Sequence, residues 1–225
     1  MRGWPGGPLR EWPDAERAGL AVLAGRPLHW WQRLGGLTVV ASDIDADAGV
    51  AAVWLARWPG TRRAVEETLE FEWIDGGWRY LGGGSGSGQE ERFSAADRPS
   101  GARAGPASMM TCGGSTSVRS LKKRQEQRTA GAATGAAGPA SVAEAGWVAC
   151  AQFRVAAEIE TLQIGERRIS VPAHGYVLAV WKAPPSLDIP SRPRIEALRR
   201  DGSAVTRFEP GAHLDSLSLA AIDEE

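Results

Sequence analysis

Three lysines, three histidines and two cysteines are all that this chain of 225 residues carries of those types, and each shortage closes off a class of function. With only Cys112 and Cys150 there is no disulfide framework and no Cys-x-x-Cys spacing for a metal or redox centre. One bridge between the two is the most they allow, and Cys150, on a strand pattern, reads rather as a small buried hydrophobe. None of His29, His174 and His213 has a second ligand at metal spacing. His174 lies in a turn. His213, Asp215 and Ser216 sit on one short stretch, whereas a catalytic triad needs residues converging from separate elements. An excess of one charge is lacking too: 26 Lys and Arg face 27 Asp and Glu, for a net charge of -1, so no global field draws the chain onto nucleic acid or an anionic membrane. Residues 1–10 hold no apolar run behind a basic start, and the longest apolar run of helical character, residues 18–24, is far short of the roughly 20 needed to span a bilayer. These absences lead to the expectation of a cytoplasmic protein with no membrane partner.

The phosphate and nucleophile motifs are also missing. Residues 82–88 read GGGSGSG, yet neither G-x-G-x-x-G nor G-x-x-x-x-G-K-[ST] can be placed on them, and there is no G-x-S-x-G elbow. Their composition is that of a flexible linker. Asp43, Asp45 and Asp47 resemble the opening of a calcium loop, but its sixth and twelfth positions, which want Gly and Glu, hold Ala48 and Trp54. They are expected in a solvated turn, with no metal. No catalytic residue and no cofactor is assigned.

What the chain does have is tryptophan, ten against two Tyr and four Phe. Each can bury roughly 150–250 Å² and carries an N–H that wants an acceptor, so Trp is expected to anchor the cores. The predominance of Arg over Lys and the high Ala and Gly content reflect a GC-rich coding sequence. The hydrophobic fraction of 43% and charged fraction of 24% are ordinary for a globular protein.

Periodicity divides the chain into two β-rich segments, 10–82 and 146–222, joined by a Gly/Ala/Ser-rich connector, 83–145. In the first, Pro13, Asp14 and Glu16 precede an apolar stretch that ends at Gly25, which predicts a short helix. A second helix or turn carries His29, Trp30, Trp31 and Leu34. Strands are expected over 37–42 and 50–57 with an acidic turn between them. Leu69, Phe71 and Trp73 alternate with Glu70 and Glu72, predicting one buried and one wet face before an Asp75-Gly76 hairpin turn. In the second segment, strands over 147–155, 159–164, 167–171, 176–182, 194–199 and 204–208 predict an antiparallel sandwich or open barrel. The whole is therefore of the α+β, mainly β class. Each segment alone is small enough to be marginal, so the two are expected to dock, with Trp54, Trp58, Trp73 and Trp181 in the shared core.

Within the connector, residues 107–112 are expected to dock locally and 118–128 to form a short helix. That helix holds the basic cluster: Arg119, Lys122, Lys123, Arg124 and Arg128 against Glu126. Lys122, Lys123, Arg124 and Arg128 are the candidate interaction residues. No aromatic lies between Gly113 and Ala145 to stack a base, which favours a protein partner over nucleic acid. Function is thus expected to be that of a non-enzymatic binding or interaction module. The alternative is a small-molecule or catalytic pocket in the first segment. There the helix-first order and the hairpin Glu-Phe-Glu-Trp-Ile-Asp-Gly-Gly-Trp-Arg (residues 70–79) resemble the cone-shaped α+β folds of the nuclear-transport-factor-2-like group. The resemblance implies a pocket but carries no functional residue across.

Overall fold

The first strands run as an antiparallel meander because their apolar residues alternate and their turns carry the right residues. The computed structural model describes residues 12–87, 93–98, 105–131, 146–184 and 193–210. After helices α1 (Trp12–Leu23) and α2 (Trp30–Leu34), strands β1 (Leu37–Asp45), β2 (Val50–Arg57), β3 (Val65–Ile74) and β4 (Gly77–Ser87) form one four-stranded sheet in sequence order. The β3–β4 turn places Asp75 at φ 53° and Gly76 at φ 80°, the positive pair that a tight hairpin turn demands. β5 (Ala107–Thr116), β6 (Trp147–Val155) and β9 (Tyr176–Ala183) make a second sheet. β7 (Ile159–Ile164), β8 (Arg167–Ser170), β10 (Ile195–Arg199) and β11 (Ala204–Phe208) make a third. All pairings are antiparallel. None of the described sheets closes into a barrel.

The layers follow from side-chain alternation. Val50, Ala52, Trp54 and Ala56 point one way from β2 and meet Val148, Cys150, Leu178 and Val180 of β6 and β9. Ala51, Val53 and Leu55 point the other way, with Leu69 and Phe71, onto Ala15 and Ala18 of α1. The opposite face of β6 and β9, with Trp147, Phe153, Val177 and Trp181, packs on Ile159, Leu162, Ile195 and Ala197 of the third sheet. β6 and β9 are thus buried on both faces, which is why β9 reads as an almost continuous apolar run. The two segments share a core, and the second sheet is its middle layer.

Several expectations change. Trp54 is fully buried in that shared core, with Nε1 donating to Glu66 at 3.0 Å, and Trp181 is buried on the far side of the middle layer. Trp58 and Trp73 are instead about two-fifths exposed, at 40% and 44%. Residues 82–87, expected to open a flexible linker, are strand: β4 pairs with β3 as far as Val65 opposite Ser87. Within the stretch 83–145, β5 is a full member of the middle sheet, and the helix, α3, runs Val118–Gly131. The acidic residues before Gly49 are not one solvated turn: Asp43 lies in β1 and is buried. His213, Asp215 and Ser216 lie outside the described residues.

Candidate functional site

The alternation of β3 was read correctly in period and wrongly in environment. Glu70 and Glu72 do face away from Leu69 and Phe71, but that face meets the middle sheet, leaving Glu70 3% and Glu72 0% exposed. Burying carboxylates requires donors, and three strands and a helix supply them. Glu70 accepts from the Ser115 hydroxyl on β5 and from the Cys150 thiol on β6, the latter at 3.2 Å. Glu72 accepts from Lys182 Nζ on β9, from Ser117 Oγ at 2.7 Å and from the backbone N–H of Arg119 at 3.0 Å. Ser117 is the residue before α3, and its Oγ also accepts the Ser120 N–H at 3.0 Å, so it caps the helix while Glu72 sits against the positive end of the helix dipole. Burial pushes the Glu72 carboxyl up, but the hydrogen bonds from Lys182, the Arg119 N–H and Ser117, with the Lys182 charge, outweigh it and hold the group below the ordinary carboxylate range.

This seam looks reactive and is not. A Ser–Lys pair is one known way to activate a hydroxyl. Here the Ser117 hydroxyl is 0% exposed, gives its proton to Glu72 and accepts from Ser120 and Lys182, so no approach to it remains. The Cys150 thiol is pushed well above its ordinary range by burial and then by Glu70, which makes it inert as a nucleophile. Register puts Cys112 opposite Ala151 and Cys150 opposite Gly113, so the two thiols project from opposite faces of the sheet and form no disulfide with each other. His174 is partly buried, with Nδ1 accepting the Tyr176 N–H at 3.1 Å; burial, then the charge of Arg98, lowers its pKa. His29 is exposed beside α2. No group of three or more His, Cys, Asp or Glu among the described residues could hold a metal ion.

Next to the seam the two layers stand apart. A cleft of about 820 Å³ lies between β4 with part of β3 and β5 with part of β6. Its origin is glycine. Where β2 faces β6 and β9, side chains fill the space between sheets; where β4 faces β5, residues 82–86 and 113–115 are all Gly or Ser. Packing requires some of these glycines: a Cβ on Gly83 would fall 2.0 Å from the Thr68 carbonyl oxygen, and one on Gly114 2.9 Å from that of Val148. Gly84, Gly86 and Gly113 are different, since a Cβ there would meet nothing within 4 Å. Side chains alternate along a strand, so Gly84 and Gly86 share the face of Gly82, whose Cβ would meet Ser115 across the gap, and Gly113 shares the face of Cys150. These three line the cleft. Thr68, Gln152 and Glu70 make its polar wall, with Gln152 donating to Thr68 at 2.6 Å, and Leu81, Met110 and Leu121 add apolar lining.

α3 closes one end of the cleft with Val118 and Leu121, and its other side forms a second groove with the hairpin tip of β3 and β4. Of the sequence candidates, Lys122 and Lys123 are exposed on that groove; the side chains of Arg124 and Arg128 are outside what the structure describes. Sequence reasoning missed Glu70, Glu72, Ser117 and Lys182, and it read the cleft glycines as linker. The signal available was that two glycine-bearing stretches, residues 82–88 and 113–114, each adjoin a strand. Comparison with known proteins finds no matching family model, no similar curated protein and no similar solved structure.

Proposed function

We propose that this protein is a non-enzymatic binding module whose cleft between β4 and β5 takes an extended peptide segment of a partner protein. One observation carries the reading: glycines stand at Gly84, Gly86 and Gly113 although the fold has room for a side chain at each. Glycine inside a strand costs about 0.5–1 kcal/mol relative to Ala, so these positions give up stability for an open cleft, the usual mark of a site kept for function. Both walls are end strands of their sheets, and an end strand offers unpaired main-chain groups to an incoming strand. The seam beneath is fully hydrogen-bonded and supplies no activated nucleophile, which supports binding over catalysis.

The scaffold we infer is a C-terminal antiparallel sandwich with the N-terminal α+β segment docked on it. Two cysteines that form no disulfide fit a cytoplasmic location, and no helix among the described residues is long and apolar enough to cross a membrane. The second reading, a small-molecule pocket, is favoured by the cleft's volume, which falls in the range of roughly 300–1,000 Å³ common to ligand sites. Its β3 and β4 wall belongs to the N-terminal segment.

Selection from a random-peptide display library against the full chain tests the first reading. Enriched peptides should bind the wild type and lose at least about tenfold, 1.4 kcal/mol, on Gly84→Val or Gly113→Val. The same variants should melt no lower than the wild type, and up to about 4 °C higher, because a β-branched residue replaces glycine in a strand. Peptides that bind wild type and variants equally, or no enriched peptide at all, would remove the proposal. Protection of the wild type by a metabolite library, lost in both variants, would support the small-molecule reading instead.

A further inference from the structure

We propose that the groove between α3 and the tip of the β3–β4 hairpin binds single-stranded nucleic acid, independently of the cleft on the other side of the helix. The groove has a volume of about 520 Å³, and Trp73, Ile74, Arg119, Lys122 and Lys123 line it. From sequence, the basic helix lacked an aromatic partner. The fold supplies one from 45 residues or more upstream: Trp73, opposite Trp78 across the hairpin, with the two rings edge-to-face at 5.2 Å. Trp78 thereby fixes the orientation of a Trp73 ring that stays 44% exposed. The Arg119 guanidinium reaches the same place, since a Cβ on Gly49 would lie 3.4 Å from its Nη1 and 3.6 Å from Trp73 Cβ.

The helix itself points to the same use. Its sequence, VRSLKKRQEQRTAG, carries five basic residues and one acidic one in a chain whose net charge is -1. Of its described side chains only Leu121 is an apolar group that packs, and those described from Lys122 to Thr129 are exposed, so the hydrophobic core does not explain its presence. What holds it is the first turn, through Ser117 and the buried carboxylate of Glu72. The protein therefore fixes one end of a cationic helix and leaves Lys122 and Lys123 in solvent beside an oriented indole. A stacking platform beside cations that follow a phosphate backbone is how single strands are held without reading sequence. Asp75 and Glu126 also line the groove, so the field is modest and binding should be weak and seen best at low salt. An acidic peptide would use the cations but not the indole.

Anisotropy of a fluorescein-labelled oligothymidylate of about 15 nucleotides, titrated with the full chain at about 50 mM salt, tests this. Binding is expected to quench Trp fluorescence. Trp73→Leu should weaken it by roughly five-fold or more, and Trp73→Tyr should retain most of it, which separates lost stacking from a disturbed hairpin. Lys122→Ala with Lys123→Ala should flatten the slope of log affinity against log salt by about 1.4, from 0.7 per phosphate contact. No binding at about 50 mM salt overturns the proposal. So does binding that Trp73→Leu leaves unchanged and that polyglutamate displaces as well as the oligonucleotide does, since that is an acidic-protein surface.

Discussion

Replacing Arg167 by Met should destabilise the protein by about 3–5 kcal/mol, the cost of leaving a buried charge without its partner. The side chain joins all three layers at one point. From β8 its Nη1 lies 2.6 Å from both oxygens of Asp43 on β1, and its Nη2 donates to the Val180 carbonyl on β9. Asp43 in turn accepts the Val180 N–H at 2.8 Å. β9 is the end strand of the middle sheet, so Asp43 and Arg167 occupy main-chain groups that would otherwise invite another strand. Burial pushes the Asp43 carboxyl above its ordinary range, with Arg167 and the Val180 N–H offsetting part of that. Without Arg167 the rise is larger. A group whose folded pKa is raised adds stability below its unfolded value, here 3.8, and loses it as pH climbs through the folded pKa. The Arg167→Met deficit should therefore shrink as pH is lowered, and Asp43→Asn in the same chain should recover most of it at neutral pH. Urea unfolding at several pH values measures both. A deficit that grows on acidification would show that Asp43 is not the group left uncompensated.

Lys182→Met should cost about 3 kcal/mol at neutral pH and act in the opposite sense on acidification. Glu72 is held low in the folded protein, so its contribution is complete above its unfolded value of 4.5 and disappears as pH falls through the lower folded one. Removing Lys182 raises Glu72, so the variant should lose less of its remaining stability between pH 5 and 3 than the wild type does. Because Glu72 also holds the first turn of α3, far-UV circular dichroism should show helix lost alongside stability. Glu72→Gln, which keeps an acceptor for the Arg119 N–H, should be milder on the helix. Unchanged acid unfolding in Lys182→Met would mean that Glu72 draws its stabilisation from Ser117 and the helix end alone.

Strand positions were legible because they depend on local periodicity. The strands expected over 147–155, 159–164, 176–182 and 204–208 appear within a residue of those bounds, and the Asp75-Gly76 turn is where its φ requirement puts it. What periodicity cannot carry is what covers each face. Glu70 and Glu72 alternate as a solvent face would, yet their donors, Ser115, Ser117 and Lys182, lie 45 to 110 residues away in sequence. Asp43 meets Arg167 across a separation of 124. The same limit applies to composition. Residues 82–87 look like a linker because linkers and glycine-walled clefts use the same residues, and only pairing with β3 tells them apart. Trp73 was expected in the core for its size, whereas its place beside a hairpin tip leaves it half in solvent.

Amide-proton exchange, read residue by residue with and without a peptide selected against the full chain, tests the binding cleft most directly. Slowed exchange at residues 82–86 of β4 and 113–116 of β5, with the rest of the chain unchanged, is the expected result. Slowing confined to α2 and Trp58, or to the end strand β11, with β4 and β5 exchanging as before, would contradict it.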